Sequence, residues 1–523
     1  MYRKGWLFLL LFVFLAIMFS LPEQVVNGQQ EEVERLNPRW RQQLAKKLDK
    51  IIDDPMLAGA SVGISIRFAE TGEVLYEHEG DRRLVPASNQ KLLVASAVLH
   101  HLGADYRFVT SLWTEGERNG GVLQGNPYLK GQGDPTLTPD RLRLLAQQVK
   151  DAGIERIAGD LILDDSWFDE VRLGEDWAWD NESSYVGAPV SALTFSPNED
   201  YDAATVLLQI TPGQELGEAV QVYMMPLVSS IQIENRATTV AQGAKWSLSA
   251  EREHGTPKII IKGTVPKQTS PVRRWVSVWD PTVATGEVFL HYLSEVGVVV
   301  EGEMQKGRKP EHAVILLSQE SIPLRELLIP FMKLSNNSHA EILTKSLGRV
   351  VKNEGSWKAG LQVIREYLHS KGVQTETLLL RDGSGMSHLN LLPPEEVTAL
   401  LYHVQEEPYF ELFYNSLPQA GHPERLIGGT MRNRLRGTLA EGNARAKTGS
   451  LTAVDTLAGY VNTKDGQPLI FAIFINNFIG AHPTAIEDEI VRVLAETQFP
   501  HGKPVEEEKN EGVDGSIEME SYQ

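Results

Sequence analysis

The sequence contains no cysteine. Disulfide bridges, thiolate zinc sites, iron–sulfur clusters and cysteine nucleophiles are therefore excluded. Positive charge is also scarce, because 50 Lys and Arg residues stand against 69 Asp and Glu residues and leave a net charge of -19. Proteins that bind nucleic acid rely on a positively charged surface, so this balance argues against a nucleic-acid partner.

Long apolar runs are absent except at the amino terminus. Residues 6–21 contain a single polar side chain, Ser20, and follow two basic residues. A basic start, a short apolar run and small residues near Gly28 are typical of an export signal. A retained membrane anchor is the alternative, although a spanning helix normally needs about 20 apolar residues. The sequence therefore predicts export through residues 1–28, with membrane attachment only if this segment is not cleaved.

The remaining chain of this 523-residue protein is long enough for about three domains. Alternating apolar residues predict one β-hairpin within residues 60–79 and another within 456–476, around an Asp-Gly turn. Short apolar runs broken by Gly, Pro and Asn predict a mainly β segment over 105–285. Helical patterns return after Pro323. The strongly acidic residues 504–523 predict a disordered tail.

A serine and a lysine three residues apart, Ser88 and Lys91, open a predicted buried helix over 92–102. Residues three apart on a helix lie on one face, so the hydroxyl and the amine can touch. Serine is a weak nucleophile near neutral pH and needs an adjacent base. Lys91 can be that base if burial or a nearby cation lowers its pKa. Taken alone, the pattern also fits a helix-capping serine beside an unrelated surface lysine.

A second motif, Ser335-Asn336-Asn337, follows a helical pattern. It offers a hydroxyl that can pass a proton and a carboxamide that can hold a substrate amide. A polar loop between two helices is the alternative interpretation of this motif by itself.

A third motif, Lys447-Thr448-Gly449-Ser450, leads into the final hairpin. A strand that carries Lys and Thr can bind a carboxylate, and Gly permits a close backbone approach and an N–H directed at an oxyanion. A glycine turn with a solvated lysine is the alternative for this motif alone. The three motifs together, in this order and in these contexts, are the signature of penicillin-binding proteins and class A β-lactamases.

From about residue 50 to 497 the sequence resembles the class C low-molecular-mass penicillin-binding proteins, which are D-Ala-D-Ala carboxypeptidases and endopeptidases of bacterial cell walls. Asn336 stands where that family often has Asp, and Ser450 stands where Thr is common. Other short motifs that carry the resemblance are Pro86-Ala87-Ser88, Gly131 to Leu137, Asp382 to Gly385 and Gly429 to Arg432.

The resemblance implies an α+β fold in which an antiparallel sheet is covered by helices. Ser88 and Ser335 lie 247 residues apart, and the family explains this distance by extra domains inserted between the first two motifs. The expected catalytic domain then consists of residues 29–104 and 286–503, split by a mainly β insertion at 105–285.

The resemblance also implies the chemistry. Ser88 would attack the carbonyl between two terminal D-alanines and form an acyl-enzyme, while Lys91 takes the serine proton. Ser335 would relay a proton to the leaving amine, and Asn337 would hold the substrate backbone. The expected partners are peptidoglycan stem peptides and β-lactam antibiotics, which would acylate the same serine.

The third motif has the remaining implied roles. Lys447 and Thr448 would bind the terminal carboxylate. Gly449 would permit the close backbone approach beside the oxyanion hole. The backbone N–H groups of Ser88 and Ser450 would form that hole. No metal or organic cofactor is implied. A further hypothesis is that Lys447 lies near Lys91 and is the cation that keeps it neutral.

Three alternatives have their own sequence features. Residues 59–63 match the Gly-x-Ser-x-Gly elbow of α/β-hydrolases, but strand alternation after Ser61 indicates a core strand instead of the required strand, turn and helix. A β-lactamase would need a residue that delivers water to the acyl-enzyme, and none can be assigned from the sequence. A non-catalytic wall-binding or scaffold protein is disfavoured because all three motifs are intact.

Overall fold

The structure, a computed structural model, describes residues 38–499. The predicted export segment at 1–28 and the predicted acidic tail at 504–523 lie outside these residues. Within the described range, none of the helices has both the length and the apolar character needed to cross a membrane.

The described range contains both helices and strands, in agreement with the α+β prediction. The helices are α1 (Pro38–Ile52), α2 (Gln90–His101), α3 (Pro139–Asp151), α4 (Pro281–Glu295), α5 (Leu324–Lys333), α6 (Asn337–Lys352), α7 (Trp357–Ser370), α8 (Pro394–Val404), α9 (Phe410–Ser416), α10 (Arg425–Gly428) and α11 (Thr484–Glu496). The strands are β1 (Ser61–Phe68), β2 (Val74–His78), β3 (Val109–Thr114), β4 (Arg118–Asn119), β5 (Val122–Leu123), β6 (Pro127–Gly131), β7 (Arg156–Ile157), β8 (Leu161–Asp164), β9 (Thr205–Thr211), β10 (Gln221–Met225), β11 (Gln232–Val240), β12 (Ser247–Arg252), β13 (Lys258–Pro266), β14 (Val272–Ser277), β15 (Val299–Val300), β16 (Met304–Lys306), β17 (Val314–Glu320), β18 (Arg445–Leu451), β19 (Val454–Asn462) and β20 (Pro468–Asn476).

A five-stranded antiparallel sheet joins the two ends of the chain, with strand order β18-β19-β20-β1-β2. Both predicted hairpins are confirmed, since β1 pairs with β2 and β19 pairs with β20. Pairing of β1 with β20 then unites the hairpins in one sheet. Strand β18, which carries the third motif, lies at the edge of this sheet.

Helices cover both faces of this sheet. Strand β20 is a continuous apolar run, and all of its residues except Pro468 are buried. A strand with only one covered face would alternate between buried and exposed residues. Helix α8 packs against β1 and β20, and α11 packs against β19. Helix α2, buried from Gln90 to Leu99, packs against α6 and α7, which confirms the predicted buried helix after Ser88.

The Gly-x-Ser-x-Gly match belongs to this sheet. Ser61 begins β1, so the residues after it form a strand and the interpretation as core sheet is confirmed. Gly63 is required by packing, because a Cβ there would lie 2.7 Å from the Leu84 side chain.

Four further sheets are formed between α2 and α5. Their strand orders are β10-β9-β14, β11-β13-β12, β15-β7-β5-β4 and β16-β8-β6-β3-β17. Strands β15, β16 and β17 come after residue 285, the predicted end of the insertion, yet they pair with β7, β8 and β3 inside it. The strand pairing thus extends to Glu320. Strands β15 and β16 have only two and three residues, too few for an alternating pattern to be visible in the sequence.

The two ends of this segment lie side by side. The backbone N–H of Leu324 donates to the Tyr106 carbonyl at 2.9 Å, and that of Arg325 donates to the Ala104 carbonyl at 2.9 Å. The Ser321 N–H donates to the Phe108 carbonyl at 2.8 Å. The segment can therefore leave and rejoin the chain without separating α2 from α5.

Residues Leu48–Glu496 form one compact unit, which holds all five sheets. The described residues on either side of it, 38–47 and 497–499, belong to a second, smaller unit. Within that smaller unit, the Trp40 and Phe499 rings lie 4.5 Å apart. The Trp40 indole N–H also donates to the Gln498 carbonyl at 3.1 Å.

Phe474 tests the importance of the sheet core for stability. It is fully buried in β20, opposite Gly63 in β1 and Thr456 in β19. We expect Phe474→Ala to lower the free energy of unfolding by about 3–5 kcal/mol, because a large buried side chain is replaced by a cavity. Leu144→Ala is the control, since Leu144 is 53% exposed on α3 and its loss should cost less than about 1 kcal/mol. Chemical denaturation followed by fluorescence measures both; equal effects would contradict this view of the core.

Candidate active site

Ser88 lies in a short 3-10 turn, Ala87–Asn89, that leads directly into α2. Its side chain is partly exposed, whereas Lys91, one turn further on, is completely buried. Lys91 Nζ lies 2.8 Å from Ser88 Oγ. The predicted contact between the hydroxyl and the amine is therefore present, with the hydroxyl on the solvent side.

Three neighbouring residues hold the serine turn in place. Ala87 has a φ of 45°, which L-residues rarely adopt, which costs about 1–3 kcal/mol and which persists only where the surroundings enforce it. The Thr456 hydroxyl donates to the Pro86 carbonyl at 2.9 Å, and Asn89 Nδ2 donates to the same hydroxyl at 2.7 Å. A Cβ at Gly385 would lie 1.7 Å from the Ala87 carbonyl oxygen, so only glycine allows this loop to pack against the turn.

The Lys91 amine has two partners besides Ser88. It donates to Asn337 Oδ1 at 2.7 Å and to the Ser384 carbonyl at 2.8 Å. Burial lowers the pKa of Lys91 to about 7, against the opposing effects of the Glu341 and Asp382 charges. An amine with this pKa is substantially unprotonated near neutral pH and can accept a proton.

The second motif begins with Ser335, in the junction between α5 and α6, where its φ is 60°. Asn336 caps α6, since its side chain accepts the His339 N–H at 3.2 Å. Asn337 is the first residue of α6, which explains how its side chain reaches Lys91 on the neighbouring helix. Its other amide end, Nδ2, donates to the Val186 carbonyl at 2.9 Å.

The segment between α2 and α5 thus contacts this motif directly. Besides the Val186 carbonyl, Asn336 Nδ2 donates to the Tyr201 carbonyl at 3.2 Å and to Asp202 Oδ1 at 3.0 Å. Burial raises the pKa of Asp202 to about 7, and the charge of Asp200 raises it further. Asn336, at the position where the related family often has Asp, here bonds an acidic side chain through its amide.

Lys447, from the third motif, is fully buried behind Ser335. Its amine donates to Ser335 Oγ at 2.8 Å and to the Thr448 carbonyl at 2.6 Å. Burial lowers the pKa of Lys447 well below its ordinary value, and the charge of Lys91 lowers it further. For Lys91 burial is the first cause of the lowered pKa, in place of the hypothesised effect of Lys447.

The rest of β18 borders the same crevice. Thr448 is partly exposed, and its Oγ1 donates to Thr430 Oγ1 at 2.7 Å. A Cβ on Gly449 would lie 2.8 Å from the Ser88 backbone nitrogen, so the strand backbone lies against that N–H. The Ser450 side chain is directed away, toward Asp455 Oδ1 at 2.8 Å, which leaves the Ser450 backbone as its possible contribution.

The structure thus brings the three motifs into one crevice. One hydrogen-bonded network contains Ser88, Lys91 and Asn337, and another contains Ser335, Lys447 and the Thr448 carbonyl. Gly449 lies in the same strand as Lys447 and packs against the turn that carries Ser88, which brings the two networks side by side. Within residues 38–499, no group of three or more His, Asp or Glu side chains is arranged to hold a metal ion.

Several contributors to this site could not be assigned from the sequence. Thr430 and Ser384 belong to the short motifs Gly429 to Arg432 and Asp382 to Gly385, which carried the resemblance without an assigned role. Ser384 acts through its backbone carbonyl, which no residue pattern specifies. Thr456 and Glu341 lie in ordinary strand and helix patterns, so no signal pointed to them.

Comparisons with known proteins identify the family to which the chain belongs. The model of the D-Ala-D-Ala carboxypeptidase 3 (S13) family matches residues 44–497. A D-alanyl-D-alanine carboxypeptidase from Actinomadura sp. (strain R39) is 39% identical over 468 residues, which cover 88% of this chain and 86% of the relative. D-alanyl-D-alanine carboxypeptidase DacB from Haemophilus influenzae is 27% identical over 424 residues, covering 80% and 86%.

A solved structure confirms the predicted fold class. The crystal structure of penicillin binding protein 4 (dacB) from H. influenzae matches with a TM-score of 0.74 at 24% identity, covering 85% of this chain and 97% of that one. That protein has also been solved in complex with a β-lactam. With three motifs in one crevice and a family match over most of the described residues, the chain belongs to the serine-type D-Ala-D-Ala carboxypeptidase 3 (S13) family.

Proposed function

We propose that the chain removes the terminal D-alanine from peptidoglycan stem peptides through an acyl-enzyme on Ser88. The observation that carries this proposal is the buried Lys91 amine, which lies 2.8 Å from Ser88 Oγ and has a pKa lowered to about 7. It supplies the adjacent base that a serine nucleophile needs. β-Lactams would acylate the same hydroxyl, and the complex of the H. influenzae relative with a β-lactam supports this part.

The first step forms the ester. Ser88 Oγ attacks the carbonyl between the two terminal D-alanines, and its proton passes to Lys91 Nζ. Negative charge then develops on the carbonyl oxygen, where the backbone N–H groups of Ser88 and Ser450 would donate to it. The close approach of Gly449 to the Ser88 nitrogen supports this arrangement.

The second step releases D-alanine and then the peptide. As the C–N bond breaks, Ser335 Oγ relays to the leaving amine the proton that Lys91 took from Ser88, and Lys447, which donates to that oxygen at 2.8 Å, holds it in position. Water then attacks the ester, its proton passes to Lys91, and Lys91 returns a proton to Ser88 Oγ as the acyl bond breaks. Asn337 would hold the substrate backbone by donating from Nδ2 to a substrate carbonyl. That carbonyl would compete with the Val186 carbonyl, which accepts from Nδ2 in the structure.

The third motif would bind the end of the substrate. Thr448 Oγ1 is partly exposed beside Thr430 Oγ1, so two hydroxyls can face a terminal carboxylate. Lys447 lies buried behind them, where burial disfavours its charged form, and a bound carboxylate would favour that form again. Strand β18 lies at the edge of its sheet, where an extended peptide can add as a further strand.

The domain organisation and the location are part of the proposal. Residues 1–28 would direct export, so that the enzyme acts outside the cytoplasmic membrane on the cell wall. The sheets formed between β3 and β17 would be an inserted unit within the catalytic domain. Cleavage of cross-links is compatible with the same site, since both reactions cut a bond on the carboxyl side of D-alanine.

Labelled penicillin tests the nucleophile. We expect Ser88→Ala to abolish covalent labelling, because no acyl ester can form at that position. Ser61→Ala, in the Gly-x-Ser-x-Gly match, is the matched control and should label like the wild type. Labelling that persists in Ser88→Ala would remove Ser88 as the nucleophile, and rapid steady-state hydrolysis of penicillin would identify a β-lactamase instead.

The pH dependence of acylation tests the base. Lys91 can accept the serine proton only when unprotonated, and its pKa is lowered to about 7. The acylation rate should therefore be low below pH 7 and should rise through about pH 7 to a plateau. Stopped-flow acylation by a chromogenic β-lactam measures this profile. Lys91→Arg keeps a cation that cannot lose its proton and should abolish acylation; a rise only near the ordinary lysine pKa would contradict the assignment.

A pentapeptide ending in D-Ala-D-Ala tests carboxylate recognition. Thr448→Val removes one hydroxyl, and we expect kcat/KM for D-alanine release to fall by about 10–100-fold, the usual effect of losing a hydrogen bond to a charged group. The same peptide with a carboxamide end is the control and should be affected much less by the substitution. Equal losses on both peptides would argue against a carboxylate at this position. Cross-linked wall fragments, assayed in parallel for monomer release, measure the endopeptidase activity.

A further inference from the structure

The loop from Asp382 to Gly385 lies beside the general base but belongs to none of the three motifs. Its Ser384 carbonyl oxygen is 2.8 Å from Lys91 Nζ. The same loop packs its Gly385 against the carbonyl of Ala87, the residue before the nucleophile. The loop therefore touches both members of the Ser88–Lys91 pair.

The contacts of the amine determine the direction of its lone pair. Asn337 Nδ2 donates to the Val186 carbonyl, so Asn337 Oδ1 faces Lys91 as an acceptor, and the Ser384 carbonyl can only accept. An unprotonated amine has two N–H groups and one lone pair. When the two N–H groups bond these two oxygens, the lone pair is left facing Ser88 Oγ.

Glu341 holds the loop in this position. Its Oε1 accepts the Ser384 N–H at 2.8 Å, and its Oε2 accepts the Gly383 N–H at 2.8 Å. Oε2 also accepts the Trp357 indole N–H at 2.7 Å. Glu341 lies one turn after Asn337 on α6, so a single helix supplies both restraints on Lys91: Asn337 directly and Glu341 through the loop.

The loop lies close against α6. A Cβ on Gly383 would lie 2.1 Å from Thr344 Oγ1, so the loop backbone passes directly beside that helix. Asp382 holds the other end, because its carboxylate accepts the Gly385 and Ser387 N–H groups at 2.8 and 2.7 Å. A buried carboxylate that accepts two backbone N–H groups is a strong and specific restraint.

We propose that Glu341 is a positioning residue for acylation: its carboxylate holds the Gly383–Ser384 backbone so that the Ser384 carbonyl directs the Lys91 lone pair toward Ser88. This inference rests on the proposed function, in which Lys91 is the base. Glu341 itself does not touch the reacting atoms, since its effect passes through the loop backbone.

The charge of Glu341 adds a second, measurable effect. The charged or titratable groups that act on Lys91 or respond to it are Glu341, Asp382, His339 and Lys447. The charge of Glu341 raises the pKa of Lys91, so its removal lowers that pKa. Burial raises the pKa of Glu341 itself to about 7, and the Asp382 charge raises it further. The acidic limb of the acylation profile therefore reports on Glu341 as well as on Lys91.

Two substitutions separate the position of the loop from the charge. Glu341→Gln removes the charge and turns an NH₂ group toward one of the two N–H donors, while Glu341→Asp keeps the charge but is too short to bond both. Glu396→Gln is the matched control: Glu396 is also buried on a helix, its Oε2 accepts the Gln374 N–H at 2.9 Å, and it does not contact Lys91. The measurement is the initial rate of acylation by a chromogenic β-lactam as a function of pH. This rate is divided by the fraction of chains labelled at saturation, which gives the rate per active site.

We expect Glu341→Gln to lower the rate per active site by about tenfold or more, as the loss of charge-assisted hydrogen bonds predicts. Its acidic limb should move to lower pH. Glu341→Asp should also be slow, with the limb near that of the wild type, and it carries the test if the Gln variant does not fold. Glu396→Gln should match the wild type.

Wild-type rates and an unmoved limb in the Glu341 variants would overturn the inference. So would a loss that disappears when the rate is divided by the labelled fraction, because this would indicate fewer folded chains and no effect on Lys91. If the wild type itself is not acylated, the proposed function fails and not this inference alone.

Discussion

The site depends on the burial of two amines in one crevice. Lys91 and Lys447 are both completely buried, and burial disfavours the charged form of each. The two serine hydroxyls that they contact remain partly exposed at the opening. Two amines held away from water thus contact hydroxyls that are open to solvent. A surface lysine at the same spacing from Ser88 would be protonated near neutral pH and could not act as a base.

Burying these amines requires groups from distant parts of the chain. Lys91 receives Asn337 from α6 and the Ser384 carbonyl from a loop, while Lys447 comes from an edge strand. Lys91 donates to Asn337 Oδ1 and the Ser384 carbonyl, and Lys447 donates to Ser335 Oγ and the Thr448 carbonyl. These neutral oxygens satisfy the buried amines without an ion pair. A close carboxylate would have stabilised the charged form instead. Glu341 positions Lys91 without pairing with it directly, because its carboxylate bonds to backbone N–H groups that lie between its charge and the amine.

Local sequence patterns predict part of this organisation but not all of it. The contact of Ser88 with Lys91 follows from helical spacing, and both hairpins follow from alternation and an Asp-Gly turn. The role of Ser384 could not be predicted, because it depends on a carbonyl that every residue has. Glu341 resembles any helical glutamate until the loop that it holds is known. Gly385 is different: a Cβ there would lie 1.7 Å from the Ala87 carbonyl oxygen, and because this contact joins segments far apart in the sequence, only the fold reveals it.

The segment between α2 and α5 also restrains the site. Its two ends are joined by backbone hydrogen bonds between residues 104–108 and 321–325, so the segment does not separate those two helices. Its interior then returns to the site, where Val186 and Tyr201 provide carbonyls to Asn337 and Asn336. With Nδ2 held by Val186, the Asn337 amide can present only its oxygen to Lys91. The contacts of the Lys91 amine are therefore set from two directions: by Val186 through Asn337, and by Glu341 through the loop.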